Sequence, residues 1–314
     1  MRFSVIIPLY NKGPYVSKAL SSVIAQTFRD FELIVVDDGS TDDSLNVAKS
    51  MMDSSEVDHL LISQANAGVS TARNNGVSAS HGDYICFLDA DDWWAPTFME
   101  RMDRLINEYP EAGIYGTNYY YVKNGRQRVC VTTAETGYID YCKAYAEKLQ
   151  MPLWTGAVCM PREVFDEFGG FRPRLRLGED FDLWIKVALK YKVAFLNEPL
   201  SYYYQDADTA WRLVGRLHRP EEHMLWNLDY LEDEEKSNPD YKRLIDNLRT
   251  YGLLPYYLSK QYNAAAGQEL AKVDWDHQPG PVRRLYKMPV PFLRFRQSFM
   301  TLGSHLKQWI IRHI

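Results

Sequence analysis

The sequence predicts an α/β fold, an open and mostly parallel sheet flanked by helices. Three observations carry this. Over the first hundred residues, short apolar runs alternate with segments of helical spacing. Three of the four runs end in polar clusters: Leu9-Tyr10-Asn11, Asp37-Asp38-Gly39-Ser40 and Asp89-Ala90-Asp91-Asp92. Ligands of open parallel sheets sit beyond the carboxyl ends of the strands, so these clusters are expected to meet at one rim. The 314 residues are 46% hydrophobic and 25% charged, which suits a folded chain with a sizeable core and not a disordered one.

Each element has its own signal. Phe3-Ser4-Val5-Ile6-Ile7 is a β-branched run ended by Pro8. Residues 14–25 place Val16, Leu20, Val23 and Ile24 on one helix face. Residues 31–36 read as a second, buried strand. Thr41-Asp42-Asp43-Ser44 opens a helix with N-cap residues and first-turn acids. A third strand over 59–62, a third helix over 68–79 and a fourth strand over 84–88 follow. Pro96 then suits the first position of a fourth helix, where its missing N–H costs nothing. After Ala112 the pattern changes. Residues 114–122 are a Tyr-rich strand, closed by an Asn124-Gly125 turn. Residues 179–190 are helical, 193–196 form a strand, and from Trp211 the composition is helical and charged.

The net charge of −5 gives no support for nucleic acid as a partner. The charge is uneven. From His277 onward there is no Asp or Glu, and seven Arg and Lys residues give +7, leaving −12 for the rest. Cys86, Cys130, Cys142 and Cys159 form no C-x-x-C pair. A zinc site is therefore not expected, and a reduced, cytosolic protein is the simplest expectation. Met1 and Arg2 lead straight into the first strand without a signal-peptide pattern. No apolar stretch reaches the roughly 18 residues that span a bilayer.

Asp89-Ala90-Asp91 is the strongest chemical signal. In an extended segment, side chains alternate, so both carboxylates would share one side. Mg²⁺ and Mn²⁺ take one or two carboxylates plus substrate phosphates. A metal-bound nucleoside diphosphate fits, as does an acidic turn capping the helix at Pro96, for which Asp92 alone suffices. In the second cluster, Asp38 can accept from a base N–H or a ribose hydroxyl, while Ser40 or Thr41 caps the helix. In Asn66-Ala67-Gly68-Val69-Ser70-Thr71-Ala72-Arg73-Asn74, Gly68 starts a helix and Arg73 lies on its second turn. An arginine there suits bidentate phosphate contact, or merely the surface.

Ser4-Val5-Ile6-Ile7-Pro8-Leu9-Tyr10-Asn11, Val35-Val36-Asp37-Asp38-Gly39-Ser40-Thr41-Asp42, the Asn66 to Asn74 segment and Phe87-Leu88-Asp89-Ala90-Asp91-Asp92 occur in this order and spacing. Together they resemble the family 2 glycosyltransferases of the GT-A fold, over roughly residues 1–200. The resemblance implies a catalytic domain over 1–205, with a nucleotide-sugar half over 1–112 and an acceptor half over 113–205. A helical C-terminal region over 206–314 follows. It implies that Pro8 and Tyr10 border the nucleobase and that Asp38 hydrogen-bonds it, commonly as uracil. Arg73 would lie near base and phosphates, Asp89 would contact the ribose or sugar, and Asp91 would ligate a Mn²⁺ or Mg²⁺ ion bridging the diphosphate.

Trp154-Thr155-Gly156, Phe168-Gly169-Gly170-Phe171 and Gly178-Glu179-Asp180-Phe181-Asp182-Leu183-Trp184 resemble the family's acceptor half. Its Glu-Asp pair opens a helix, and the Asp is the base. This implies Asp180 as catalytic base, with Glu179 and Trp154 on the acceptor side. Glu179 is expected to raise the pKa of Asp180 by like-charge repulsion; otherwise the pair complements a helix dipole. Trp154 stacks on a sugar face or fills the core. Where the family often has an Arg and a His as a late metal ligand, this chain has Gln205-Asp206-Ala207-Asp208. Asp206 or Asp208 substitutes, or that ligand is absent, and His218 lies too far along.

The implied reaction is inverting transfer from a nucleotide-diphosphate sugar, with UDP preferred, to a hydroxyl of a glycan or lipid-linked glycan in cell-surface polysaccharide assembly. The Gln-x-x-Arg-Trp motif and membrane spans of polymerising synthases are missing, which points to non-processive action. Two alternatives remain. A sugar-nucleotide nucleotidyltransferase needs a Gly-rich basic loop after the first strand, which Leu9-Tyr10-Asn11-Lys12-Gly13 matches poorly. An inactive nucleotide-binding scaffold is disfavoured by intact Asp89, Asp91 and Asp180. From Pro291, Phe292, Phe295, Phe299, Leu302, Leu306 and Trp309 recur at helical spacing, with Arg294, Arg296, Lys307 and Arg312 off the stripe. A basic amphipathic helix over 291–314 suits peripheral contact with the inner face of the cell membrane. Packing on its own protein or a homo-oligomer contact are the other uses of that face.

Overall fold

The computed structural model describes residues 1–207 and 216–300, with side chains given through 295. It comprises two units, Met1–Asn227 and a second beginning at Leu228.

In the first unit, strand β1 (Phe3–Leu9) leads to α1 (Gly13–Ile24), β2 (Phe31–Asp37), α2 (Ser44–Asp53), β3 (Asp58–Ser63), α3 (Val69–Ser78) and β4 (Tyr84–Phe87). β1 pairs in parallel with both β2 and β4, and β2 with β3. This half is the expected parallel sheet. β1 and β2 are buried along their whole length, because helices cover both faces of such a sheet. β3 is the edge, with one strand partner, and none of its residues is fully buried.

The chain continues through β5 (Trp93–Trp94), α4 (Phe98–Glu108), β6 (Ala112–Lys123), β7 (Arg126–Val129), β8 (Gly137–Ile139), α5 (Tyr141–Lys148), β9 (Val158–Pro161), α6 (Arg162–Glu167), α7 (Glu179–Lys190) and β10 (Lys192–Tyr204). The sheet order is β3-β2-β1-β4-β9-β6-β10-β5. This second half is mixed, because β9 lies antiparallel between β4 and β6. Asn124 and Gly125 both have positive φ, at 50° and 70°, the geometry that joins β6 to β7 in a tight hairpin.

Two expectations need correction. α4 starts at Phe98, not at Pro96. Trp93 and Trp94 form a strand with β10, and the Ala95 N–H donates to the Leu200 carbonyl at 2.8 Å, so Pro96 and Thr97 serve as the turn into the helix. The helix after β2 is not capped by Ser40 or Thr41. The Asp42 carboxylate accepts from Ser44 N at 3.0 Å and Gly13 N at 3.1 Å, which ties the α1 and α2 entries together.

The second unit is helical: α8 (Glu232–Ser237), α9 (Pro239–Gly252), α10 (Leu254–Leu258), α11 (Asn263–Leu270), α12 (Gly280–Tyr286) and α13 (Val290–Met300). Tyr241, Leu244, Ile245, Leu253, Tyr256 and Leu270 form its interior. Arg249 is buried there and pairs with Glu235. In α13, Leu293 is the buried residue, while Phe292 and Phe295 are exposed. Arg294, expected off the stripe, donates to the Leu258 and Ser259 carbonyls at 2.8 Å. Phe292 and Phe295 of the predicted apolar stripe are thus not on the face that packs, and the stripe's side chains from Phe299 onward lie outside those described. No helix among the described residues is long and apolar enough to cross a membrane.

Candidate active site

The carboxyl ends of β1, β2 and β4 bring their loops to one rim. Asn11 takes a left-handed conformation at φ 50°. Its amide oxygen accepts from Thr41 N at 2.8 Å, and its own N–H donates to Ser40 Oγ at 3.1 Å. The loops after β1 and β2 are thereby locked together. Pro8 is buried inside β1, paired with Val36, and Tyr10 is half-buried at the strand's end.

Asp38 is buried, with 3% exposure. It accepts from Gln64 Nε2 at 2.7 Å, Ala67 N at 2.8 Å and Gly68 N at 2.9 Å. Its first task is therefore to fold the segment that leads into α3. Gly68, the N-cap of α3, has φ 92°, which favours glycine. Asn74 latches α3 to the turn before α7, donating to the Phe171 carbonyl at 2.7 Å and accepting from Phe171 N at 3.0 Å.

Arg73 lies on α3 as expected, but it is buried, with a side chain 4% exposed. Its guanidinium donates to Asp89 at 2.8 Å and to Glu179 at 3.1 Å. Burial opposes its charge, but Asp89, Glu179 and Asp180 outweigh burial and hold the proton more tightly than usual. Arg73 is thus a bridge between the two halves of the site, not an open phosphate clamp at the surface.

The segment after β4 is not extended. Asp92 N donates to the Asp89 carbonyl at 3.0 Å, closing a turn. The carboxylates of Asp89 and Asp91 therefore do not share a side as strand alternation predicts. Asp89 turns to Arg73, while Asp91 accepts from Lys12 Nζ at 2.6 Å, both side chains being 17% exposed. Lys12, in the loop after β1, escaped the sequence reading because nothing in its spacing sets it apart. Asp92 is buried beneath the turn and accepts from Tyr204 N at 2.8 Å. Burial, then the Asp91 and Asp89 charges, push its carboxyl well above the usual range.

On the acceptor side, α7 begins at Glu179, as predicted. Gly178 caps it at φ 80°, and a side chain there would run into Met224. The cap aims Glu179 and Asp180 at the rim. Asp180 accepts from Thr155 Oγ1 at 3.0 Å and from Phe181 N at 2.7 Å. The like charge of Asp180 acts on its neighbour Glu179. Burial first, then the Asp180 charge, raise Glu179 to about 7, against the opposing pull of Arg73. Asp182, one turn in, is fully buried and pairs with Arg172 and with Lys186, an anchor the motif reading passed over. Trp154 is half-buried, with Tyr203 at 4.0 Å between ring centroids and Tyr119 at 5.9 Å.

Asp206 accepts from Asn124 N at 2.5 Å, fixing the β6–β7 hairpin. Asp208 lies outside the described residues, and His218 is buried. Among the described residues, no group of three or more His, Cys, Asp or Glu gathers to hold a metal ion. Asp91 still has the chemistry for one, because a hard cation held by one carboxylate and substrate phosphates needs no third protein ligand.

Comparison with known proteins gives the assembly its family. The glycosyl transferase family 2 model matches residues 4–169. The uncharacterized glycosyltransferase alr2836 of Nostoc sp. is 31% identical over 248 residues, 76% of this chain and 71% of that protein. Two other curated relatives, each 44% identical, are matched over only 17% and 29% of their own length. Among solved structures, S. aureus TarS 1–349 is similar with TM-score 0.68 at 20% identity, covering 87% of this chain and 81% of that one. TarS is also solved with UDP and with UDP-GlcNAc, with TM-scores 0.59 and 0.61. The mannosyltransferase PcManGT from Pyrobaculum calidifontis, in complex with GDP-Man and Mn²⁺, is similar with TM-score 0.61 at 18% identity, covering 98% of this chain and 82% of that one. This chain belongs to the family 2 glycosyltransferases and has their GT-A fold.

Proposed function

We propose that the protein transfers a sugar, with inversion, from a nucleotide-diphosphate donor to a hydroxyl of a glycan or lipid-linked glycan in cell-surface polysaccharide assembly. The observation that carries this reading is the single charged chain at the rim. It runs from Asp89 through Arg73 to Glu179 and the adjacent Asp180, with the Lys12–Asp91 pair beside it.

In this reading Asp180 takes the proton of the acceptor hydroxyl as its oxygen bonds to the anomeric carbon. The bond from that carbon to the diphosphate oxygen breaks, and the nucleoside diphosphate leaves with the electron pair. Thr155 and the Phe181 N–H fix the Asp180 carboxylate. Asp38 shapes the 64–68 segment against the nucleobase, flanked by Tyr10 and the end of β1 at Pro8, and Asp89 faces the ribose or sugar. Lys12, with its amine at the rim, faces the diphosphate. Asp91 would hold Mn²⁺ or Mg²⁺, which supplies positive charge against the departing diphosphate when bound. TarS with UDP-GlcNAc and PcManGT with GDP-Man and Mn²⁺ support a nucleotide-sugar donor and a divalent ion; UDP is the nucleotide proposed. Glu179 and Trp154 border the acceptor. The exposed Phe292 and Phe295 of α13 support a tail that rests on the cytoplasmic face of the membrane.

Inversion is tested without knowing the acceptor, by letting water stand in for it. Proton NMR during slow hydrolysis of a UDP-α-sugar should show the β-hexose first, before mutarotation. An α-hexose formed first overturns single displacement.

A further inference from the structure

The second unit carries an open cavity of about 470 Å³ that the reaction does not use. That volume is in the range of small-molecule sites. Three rings line it: Tyr257, Trp275 and Tyr286. Tyr257 and Trp275 flank Tyr286, at 5.2 and 5.1 Å between centroids, tilted by 53° and 55°. Rings tilted in this way leave face area uncovered that a parallel stack would hide. All three are only half-buried. The wall is rigid, because the Tyr286 hydroxyl donates to the Thr250 carbonyl at 2.5 Å, and Asp274 caps the turn that bears Trp275.

Gly267, on α11, also lines the cavity, and a Cβ added there would meet nothing within 4 Å. Glycine in a helix interior is unfavourable relative to alanine, and this helix keeps one where the space is open. The polar rim is Arg283 and Lys287, one helical turn apart, with Asp276 3.9 Å from Arg283. Both cations belong to the acid-free stretch that begins at His277.

We propose that this cavity binds an acidic saccharide unit. Its apolar C–H face lies on Trp275 and Tyr286, and its carboxylate or phosphate reaches Arg283 and Lys287. A sugar ring has one weakly polar face and a polar edge, which matches a ring wall with a charged rim. A guanidinium is the donor fork that fits a planar anion. The inference rests on the function proposed above only in taking a glycan as the ligand.

The test is calorimetry on the full chain with a hyaluronan tetrasaccharide, a neutral chitotetraose, phosphatidylglycerol vesicles and, separately, UDP. The wild type should bind the acidic tetrasaccharide more tightly than the neutral one. Trp275→Ala should weaken that binding about tenfold, through loss of a ring face. The Arg283→Gln/Lys287→Gln double variant should erase the preference for acid. Gly267→Leu obstructs the cavity from a position whose first added carbon meets open space, so it should weaken binding with no fall in melting temperature. UDP binding should be unchanged in all three variants. No tetrasaccharide binding by the wild type, equal affinity in every variant, or binding to the vesicles alone overturns the proposal. Tetrasaccharide binding without UDP binding would leave this cavity standing and sink the donor site instead.

Discussion

Asp180→Asn is expected to reduce sugar transfer by about 10²–10⁴-fold, the usual contribution of a positioned general base. UDP affinity should stay within about twofold of wild type, because no nucleotide contact is assigned to Asp180. The substitution is nearly isosteric. The two bonds that hold the native carboxylate fall on different oxygens. The amide oxygen can keep the Phe181 N–H, and the amide NH2 can donate to the Thr155 hydroxyl where the carboxylate accepted from it. What is lost is the ability to take a proton. Turnover is measured as UDP release in the presence of acceptor, with UDP affinity measured on the same preparation. Equal transfer rates would remove Asp180 from the chemistry. Loss of UDP affinity together with rate would show that the residue builds the donor site instead.

Arg73→Met is expected to destabilise the fold by about 3–5 kcal/mol, the cost of removing one partner from a buried ion pair. Asp89 and Glu179 would then face each other without the cation that links them. The effect should depend on pH. Glu179 already sits at about 7 through burial and the Asp180 charge, with Arg73 pulling the other way. Without Arg73 its pKa rises further. A carboxyl raised in the folded state keeps a proton that the unfolded chain releases, so stability falls as pH rises through that window. Urea unfolding at pH 5.5 and pH 8 should therefore show the larger loss at pH 8. A loss that is equal at both values, or below about 1 kcal/mol, would mean that the bridge is not the link between the halves.

The parallel half of the sheet was legible because its signals are local. β-branched runs, helical spacing and strand-end polar clusters place β1 to β4 and α1 to α3 within a few residues of where they lie. The antiparallel insertion of β9 between β4 and β6 was not, because pairing over such sequence distance leaves no periodic trace. At the site, residue identities were easier to read than contacts. Asp89 and Asp91 were found, but strand alternation gave them a shared direction that the turn closed by Asp92 denies. Arg73 was found, yet its burial depends on the opening of α7, a hundred residues on. Lys12 was missed because only the fold brings it to Asp91. Asp182 and Asn74 were passed over for a similar reason: each sits inside a recognisable motif, but its function is to hold another segment.

The most direct test of the central claim, that this rim is a metal-assisted nucleoside diphosphate site, is calorimetric titration with UDP, GDP, CDP and ATP, each with and without Mn²⁺, on wild type and Asp91→Asn. Wild type should bind UDP most tightly and only weakly without Mn²⁺, and Asp91→Asn should lose the Mn²⁺-dependent part while keeping its fold. Failure of folded wild type to bind any of the four, or UDP binding that is the same with and without Mn²⁺, would contradict the account.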